Sequence, residues 1–242
     1  WQKAFLDSAS GKVAEGSQSA QVMALGFGAV PDAVRPAAFA KLVADLTAPE
    51  DGPRLTTGIF GTQFLLEYLS RRGRADLAYG LADRSTFPSW GWMLENDATT
   101  LWEHWAGSDN TFSHNHPMFG SVSGWFFRWL GGIQPAADAI GCDRLEIRPQ
   151  VVGGLTWVKC AHRSVRGRIE SNWSVGEAGV EFEIIIPPDT TALIELPARA
   201  GGTLTESGRP VAEAPGITVL PPVPNLHRLQ AGSGRYRFAT RR

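Results

Sequence analysis

The sequence is poor in the features that would direct it to several common partners. Its 23 lysines and arginines are balanced by 24 acids, a formal net charge of −1, so there is no basic field to draw in a nucleic acid. It has only two cysteines, Cys142 and Cys160. Two are too few for a disulfide framework and lack the spacing of a metal site, so free buried thiols are expected ahead of a single bridge. No run reaches the roughly 18 apolar residues of a membrane span. The opening WQKAFLDSAS has no apolar signal-peptide core; it reads as the interior of a helix, as though cut from something longer. A neutral small molecule fits this balance, with no nucleic acid, membrane or cofactor expected and the compartment open.

Against this background, residues 89–120 (SWGWMLENDATTLWEHWAGSDNTFSHNHPMFG) gather four tryptophans, two glutamates and three histidines. Indole faces stack on the apolar faces of sugar rings, and carboxylates and imidazoles bind hydroxyls and move protons. The stretch therefore reads as one wall of a sugar-binding site.

The hydrophobic period changes near Gly141. Before it, Phe39, Leu42, Val43 and Leu46 follow the helical i, i+3, i+4, i+7 rule, and Val122, Trp125, Phe126, Trp129, Leu130 and Ile133 continue it for three turns. Shorter helices are predicted over 17–25, 61–70, 75–82 and 98–105, with breaks at 48–53 and 87–91. After Gly141 the period drops to two: Leu145 and Ile147; Val165, Ile169 and Trp173; Val180 to Ile186 in alternate positions; Ala192, Ile194 and Leu196. Gly and Pro pairs separate these runs, which suggests an antiparallel sandwich of roughly 100 residues. The expected architecture is α+β: a helical domain over 1–140, then a β-sandwich over 141–242.

The chemistry falls in the helical half. Glu95 and Glu103 lie eight residues apart. With Asp97 as N-cap of the 98–105 helix, Glu95 sits in the entering loop and Glu103 two turns along, between Trp102 and Trp105. A carboxylate between indoles is partly desolvated, which suits proton transfer near neutral pH. The plainer alternative is a surface helix residue bordered by two core tryptophans. His114 and His116 occupy a polar loop ending at Pro117, where each can face a ligand or orient a carboxylate. A metal edge is the weaker option, since spacing supplies no third ligand. His104 points elsewhere on the helix and reads as structural.

The run PSWGWMLENDATTLWEHWAG followed by NTFSHNHPMFGSVSGWFFRWLGGI resembles the signature region of the α-L-rhamnosidases that have an (α/α)6-barrel catalytic domain and a C-terminal β-sandwich. Upstream, GSQSAQVMALGFGAVP and LTTGIFGTQFLLEYLSRRGRADLAY resemble earlier helices of that barrel, and DRLEIRPQ to CAHRSVRGRIESNW resembles the start of the sandwich. The resemblance implies an inverting hydrolase of terminal α-L-rhamnosyl groups. It makes Glu103 the general base and Glu95 the second choice. His116 would line the sugar subsite, with His114 and Asn115 beside it, and Trp90, Trp92 and Trp105 would be its aromatic walls. Glu95 and Glu103 could also pair across the scissile bond, as inverting enzymes require of two carboxyl groups.

The family's general acid lies earlier in the barrel, and no segment here matches it. The chain is then a fragment of a larger enzyme, a piece completed by a second chain, or a degenerate protein that only binds. Two other chemistries stay open. One is a lyase on rhamnosyl-glucuronate linkages, with His114, His116 and Arg54 facing the uronate. The other is a binding module without turnover. In the sandwich, His162, Arg163, Arg166 and Arg168, flanked by Trp157 and Trp173, read as solvated arginines and core tryptophans on strand faces.

Overall fold

The computed structural model describes residues 1–107, 113–198, 202–221 and 223–241. They form two compact units, Trp1–Gly124 and Trp125–Arg242, each with its own core.

The first unit is helical. A one-turn helix α1 (Gln2–Phe5) leads into a small antiparallel pair, β1 (Leu6–Asp7) and β2 (Lys12–Val13). The helices α2 (Gln18–Gly26), α3 (Arg35–Thr47), α4 (Ile59–Arg71), α5 (Ala75–Ala82), α6 (Trp90–Glu95) and α7 (Ser121–Trp125) follow. α2 packs on α3 and α4, and α4 on α5. Their seams hold Val22, Leu42, Leu46, Leu65, Leu69 and Leu81, all fully buried. Burying a leucine side chain contributes roughly 1.5–3 kcal/mol, so these faces carry the unit's cohesion.

Two glutamines are buried among these apolar faces, and both are satisfied. Gln21 accepts from the Val13 amide and donates to the carbonyls of Gly11 and Ala38, at 3.1 and 3.0 Å. Gln18 donates to the Arg54 carbonyl at 3.0 Å and accepts from the Thr56 amide at 2.8 Å. Side-chain amides here replace the backbone partners that the connecting segments lack.

The predicted helix over 98–105 does not form. Helix α6 starts earlier, with Ser89 Oγ accepting from the Trp92 amide at 2.9 Å as N-cap. It ends at Asn96, and Asp97 takes a left-handed φ of 59°. Asp97 therefore turns the chain out of one helix instead of capping the next, and Glu95 is the last residue of α6. The following backbone finds its partners across a loop. The Glu103 amide donates to the Ser113 carbonyl and the His116 amide to the Leu101 carbonyl, both at 2.8 Å.

The three-turn helix predicted after residue 120 is also shorter. α7 passes into a π-helical turn, Phe126–Leu130, and Ile133 already belongs to a strand. Gly132 stops the helix. Its φ is 72°, and a Cβ there would stand 2.2 Å from the Pro149 nitrogen.

The second unit is a sandwich. Its strands are β3 (Ile133–Pro135), β4 (Arg144–Ile147), β5 (Trp157–Val158), β6 (Ala161–Ser164), β7 (Gly167–Gly176), β8 (Gly179–Ile186), β9 (Thr191–Pro197), β10 (Thr203–Glu206), β11 (Arg209–Pro210), β12 (Ile217–Val219), β13 (Leu226–Ala231) and β14 (Gly234–Arg241). One sheet runs β11-β10-β14-β8-β7-β5, with β6 also on β7; the other runs β12-β13-β9-β4-β3. Inward residues of both sheets meet in a single core, among them Ile147, Trp173, Phe182, Ile194 and Phe238. Pairing is antiparallel except that β4 and β9 run parallel, a departure from the all-antiparallel expectation. Val165, predicted as a strand residue, instead turns the β6–β7 hairpin and is 89% exposed.

Both cysteines are free, Cys142 half-buried and Cys160 buried. Burial pushes the Cys160 thiol up to about 11, so its nucleophilic thiolate is scarce at neutral pH. A thiol titration at pH 7 should therefore show Cys142 reacting first, and Cys160 reacting at full rate only after denaturant is added.

Candidate functional site

The candidate site is the loop that follows α6, and three buried aromatics hold it. Trp105 stacks on Phe119 with centroids 3.8 Å apart, and Trp90 meets Trp105 edge-on at 5.2 Å. Both indoles are satisfied: Trp105 Nε1 donates to the Thr57 carbonyl at 2.7 Å and Trp90 Nε1 to the Phe119 carbonyl at 2.9 Å. The loop is thereby tied to the residues just before α4, and α6 to the turn before α7.

α6 is seated as closely. A Cβ on Gly91 would lie 2.6 Å from the Arg84 carbonyl oxygen, so the WGW motif needs glycine at its centre. Arg84, its side chain only 8% exposed, bonds the Asp51 carboxylate and the carbonyls of Asp51 and Pro53. Arg54 joins the same carboxylate at 2.8 Å. Arg84 first, and Arg54 after it, hold the Asp51 carboxyl below the usual carboxylate range.

The predicted site residues divide into three groups. Glu103 is half-buried, and its Oε2 accepts from the Ser113 amide at 2.9 Å while its own amide bonds the Ser113 carbonyl. Residue 103 is thus clamped through both backbone and side chain, and Oε1 makes no hydrogen bond among the described residues. Across the same loop Thr100 Oγ1 donates to the His114 carbonyl, and the Trp102 and His114 rings lie 5.6 Å apart. His116 is half-buried, and its Nε2 is buried without a hydrogen-bond partner. Trp92 is half-buried too, with an unpartnered Nε1 and an edge contact to Phe87.

The second group departs from expectation. Trp90 and Trp105, at 8% and 5% exposure, are buried beams behind the wall and offer no open face to a sugar. Arg54 bonds Asp51 through one guanidinium nitrogen, and Gln18 donates to its backbone carbonyl. The third group, Glu95, His114 and Asn115, is exposed. Residues 108–112 lie outside the described residues.

A cleft of about 470 Å³ opens on this loop, lined by Asn96, Asp97, Thr99, Thr100, Trp102 and His114 among others. That size accommodates a small ligand. Of the predicted residues only His114 lines it; Trp102 and the two threonines were not singled out as contacts. Their signal was present in the TTLW run, where a tryptophan follows small hydroxyl residues. Among the described residues, no group of three His, Cys, Asp or Glu side chains could hold a metal ion, and no helix is long and apolar enough to cross a membrane.

Helical hairpins in series, a loop presenting a clamped carboxylate, and a two-sheet sandwich after it in the chain define the class: a helical-hairpin module with a C-terminal β domain. Residues 1–130 match the model of the bacterial alpha-L-rhamnosidase six-hairpin glycosidase domain, and residues 132–209 that of the bacterial alpha-L-rhamnosidase C-terminal domain. The chain belongs to the bacterial α-L-rhamnosidase family.

It is 36% identical to an α-L-rhamnosidase of Streptomyces avermitilis, over 82% of this chain and 20% of that protein. It is 25% identical to one of Formosa agariphila, over 98% and 26%. Among solved structures, that of the S. avermitilis α-L-rhamnosidase complexed with L-rhamnose superimposes with a TM-score of 0.88 at 32% identity, covering all of this chain and 23% of that one. The Dictyoglumus thermophilum α-L-rhamnosidase gives 0.89 at 28% identity, with 100% and 27% covered. The chain thus spans about a fifth to a quarter of the length of these relatives.

Two outcomes test this scaffold. Trp105→Phe keeps the ring stack but leaves the Thr57 carbonyl only the long 3.5 Å bond from Thr62 Oγ1, and should lower the unfolding free energy by about 1–3 kcal/mol in a denaturant titration. The Asp51 ion pairs stabilise the fold only while the carboxylate is ionised. Because its folded value is depressed, their contribution is complete above the ordinary carboxylate range and is lost as pH falls through the folded value. Asp51→Asn should therefore flatten the acid limb of a stability–pH curve and leave its alkaline limb unchanged.

Proposed function

We propose that this chain supplies one side of the active site of an inverting α-L-rhamnosidase, with Glu103 as general base. The observation that carries the reading is the double clamp on residue 103. A backbone amide holds one carboxylate oxygen, and the other, which has no hydrogen bond among the described residues, would take a proton from water. In this reaction the water oxygen attacks the anomeric carbon of a terminal α-L-rhamnosyl group as Glu103 accepts the water proton. The glycosidic C–O bond breaks on the opposite face, and a general acid protonates the departing oxygen.

We place that acid in the part of the longer relatives that this chain does not span. Glu95, exposed at the end of α6, ranks behind Glu103 because no hydrogen bond orients its carboxylate among the described residues. The unpartnered nitrogens of His116 and Trp92 suit hydrogen bonds to sugar hydroxyls, since a buried polar atom left unpaired is costly until a ligand meets it. The cleft floor at Trp102, with Thr99 and Thr100, suits a stacked ring edged by hydroxyls.

The test is an aryl α-L-rhamnoside assay on the full-length enzyme. Glu103→Gln should lower kcat by about 10²–10⁴-fold with KM nearly unchanged, the signature of a lost proton-transfer group in an intact site. Glu95→Gln should have the smaller effect. Wild-type turnover in Glu103→Gln would refute the assignment.

A further inference from the structure

Two segments pair across the loop that carries Glu103, residues 100–103 and 113–116. The His116 amide donates to the Leu101 carbonyl and the Glu103 amide to the Ser113 carbonyl, both at 2.8 Å. Between those two bonds one segment has a single residue, Trp102, and the other has two, His114 and Asn115. The count is that of a β-bulge, in which one extra residue drops out of the pairing and the segment carrying it bends. The peptide linking His114 to Asn115 then lacks a backbone partner across the loop, and side chains meet both of its polar groups. Its N–H, on Asn115, donates to Ser113 Oγ at 3.0 Å, and its carbonyl, on His114, accepts from Thr100 Oγ1.

The two bonds differ in reach. Ser113 Oγ acts within its own turn, whereas Thr100 Oγ1 crosses the loop and ties the extra peptide to the segment that bears Glu103. Glu103 Oε2 accepts from the Ser113 amide at 2.9 Å, on the residue just before that peptide. The position of the peptide sets the direction of Ser113, and the Ser113 amide sets that of the carboxylate. Thr100 is exposed, so water can satisfy the His114 carbonyl when the hydroxyl is removed, and little stability is lost. What the hydroxyl contributes is placement. It has one proton to give, and that proton goes to the loop even though the residue also lines the cleft.

We propose that Thr100 is a positioning residue for Glu103. Its hydroxyl pins the bulged peptide, so that the Ser113 amide holds the carboxylate in register. The inference rests on the general-base reading of Glu103, and Thr100 itself touches no reacting atom.

The experiment is the aryl α-L-rhamnoside assay on the full-length enzyme with Thr100→Val, Thr100→Ser, Glu103→Gln and the double variant Thr100→Val with Glu103→Gln. Thr100→Val should lower kcat about ten-fold and leave KM within about two-fold of the parent. Thr100→Ser keeps the hydroxyl and should restore most of the loss. In the Glu103→Gln background Thr100→Val should cost nothing further, because residues that act as a unit are not additive. A smaller folded fraction would instead lower turnover by the same factor in both backgrounds. The proposal is overturned if Thr100→Val keeps the parental kcat whatever happens to KM, if Thr100→Ser restores nothing, or if the loss is equal in both backgrounds. Glu103→Gln alone separates the two readings. Wild-type turnover there removes the base assignment and the positioning role with it, whereas a full loss there beside a parental kcat in Thr100→Val removes the positioning role alone.

Discussion

The stacked pair of Trp105 and Phe119 is the contact on which the helical unit's site depends. Glu103 belongs to a loop with no helix of its own to hold it. Its position follows from Trp105, two residues on, whose ring is buried and whose N–H is spent on the Thr57 carbonyl. Without that anchor, the bonds between Glu103 and Ser113 would join two unsupported loop strands. The buried indole supplies a fixed point that a surface loop otherwise lacks, which is what the general-base role proposed for Glu103 would need.

The tryptophan-rich stretch therefore combines two functions within one motif. Trp90 and Trp105 are buried and make the support, whereas Trp92 and Trp102 remain half-exposed. The same division recurs in the sandwich, where Trp173 fills the core and Trp157 stands in solvent. In both units, indoles with satisfied N–H groups are structural. Trp92 is half-buried with an unpartnered Nε1, whereas Trp129 keeps an unpartnered Nε1 within the core.

Much of the fold was legible because periodicity reflects burial directly. The residues Leu42 and Leu46, or Val180, Phe182, Ile184 and Ile186, alternate in the sequence as they do between core and solvent. The loop carrying Glu103 was misread as a helix because Trp102 and Trp105 have helical spacing. What prevents the helix is the left-handed Asp97 and the cross-loop pairing to Ser113 and His116, and a local window sees neither. Val165 misled in the same way: a β-branched residue in strand phase became a hairpin turn once its neighbours paired.

By itself the sequence determined the order of helix and strand, the absence of a metal-spaced cysteine or histidine set, and the identity of the chemical groups in the 89–120 stretch. Each follows from residue type and short-range spacing. Tertiary structure alone decided which indoles are buried and which exposed, that Arg54 bonds Asp51, and that Glu103 is clamped by Ser113. Those outcomes depend on contacts between residues far apart in the chain. A side chain's chemistry is written in its letter, but whether its polar atoms are satisfied depends on the neighbours that folding brings to it.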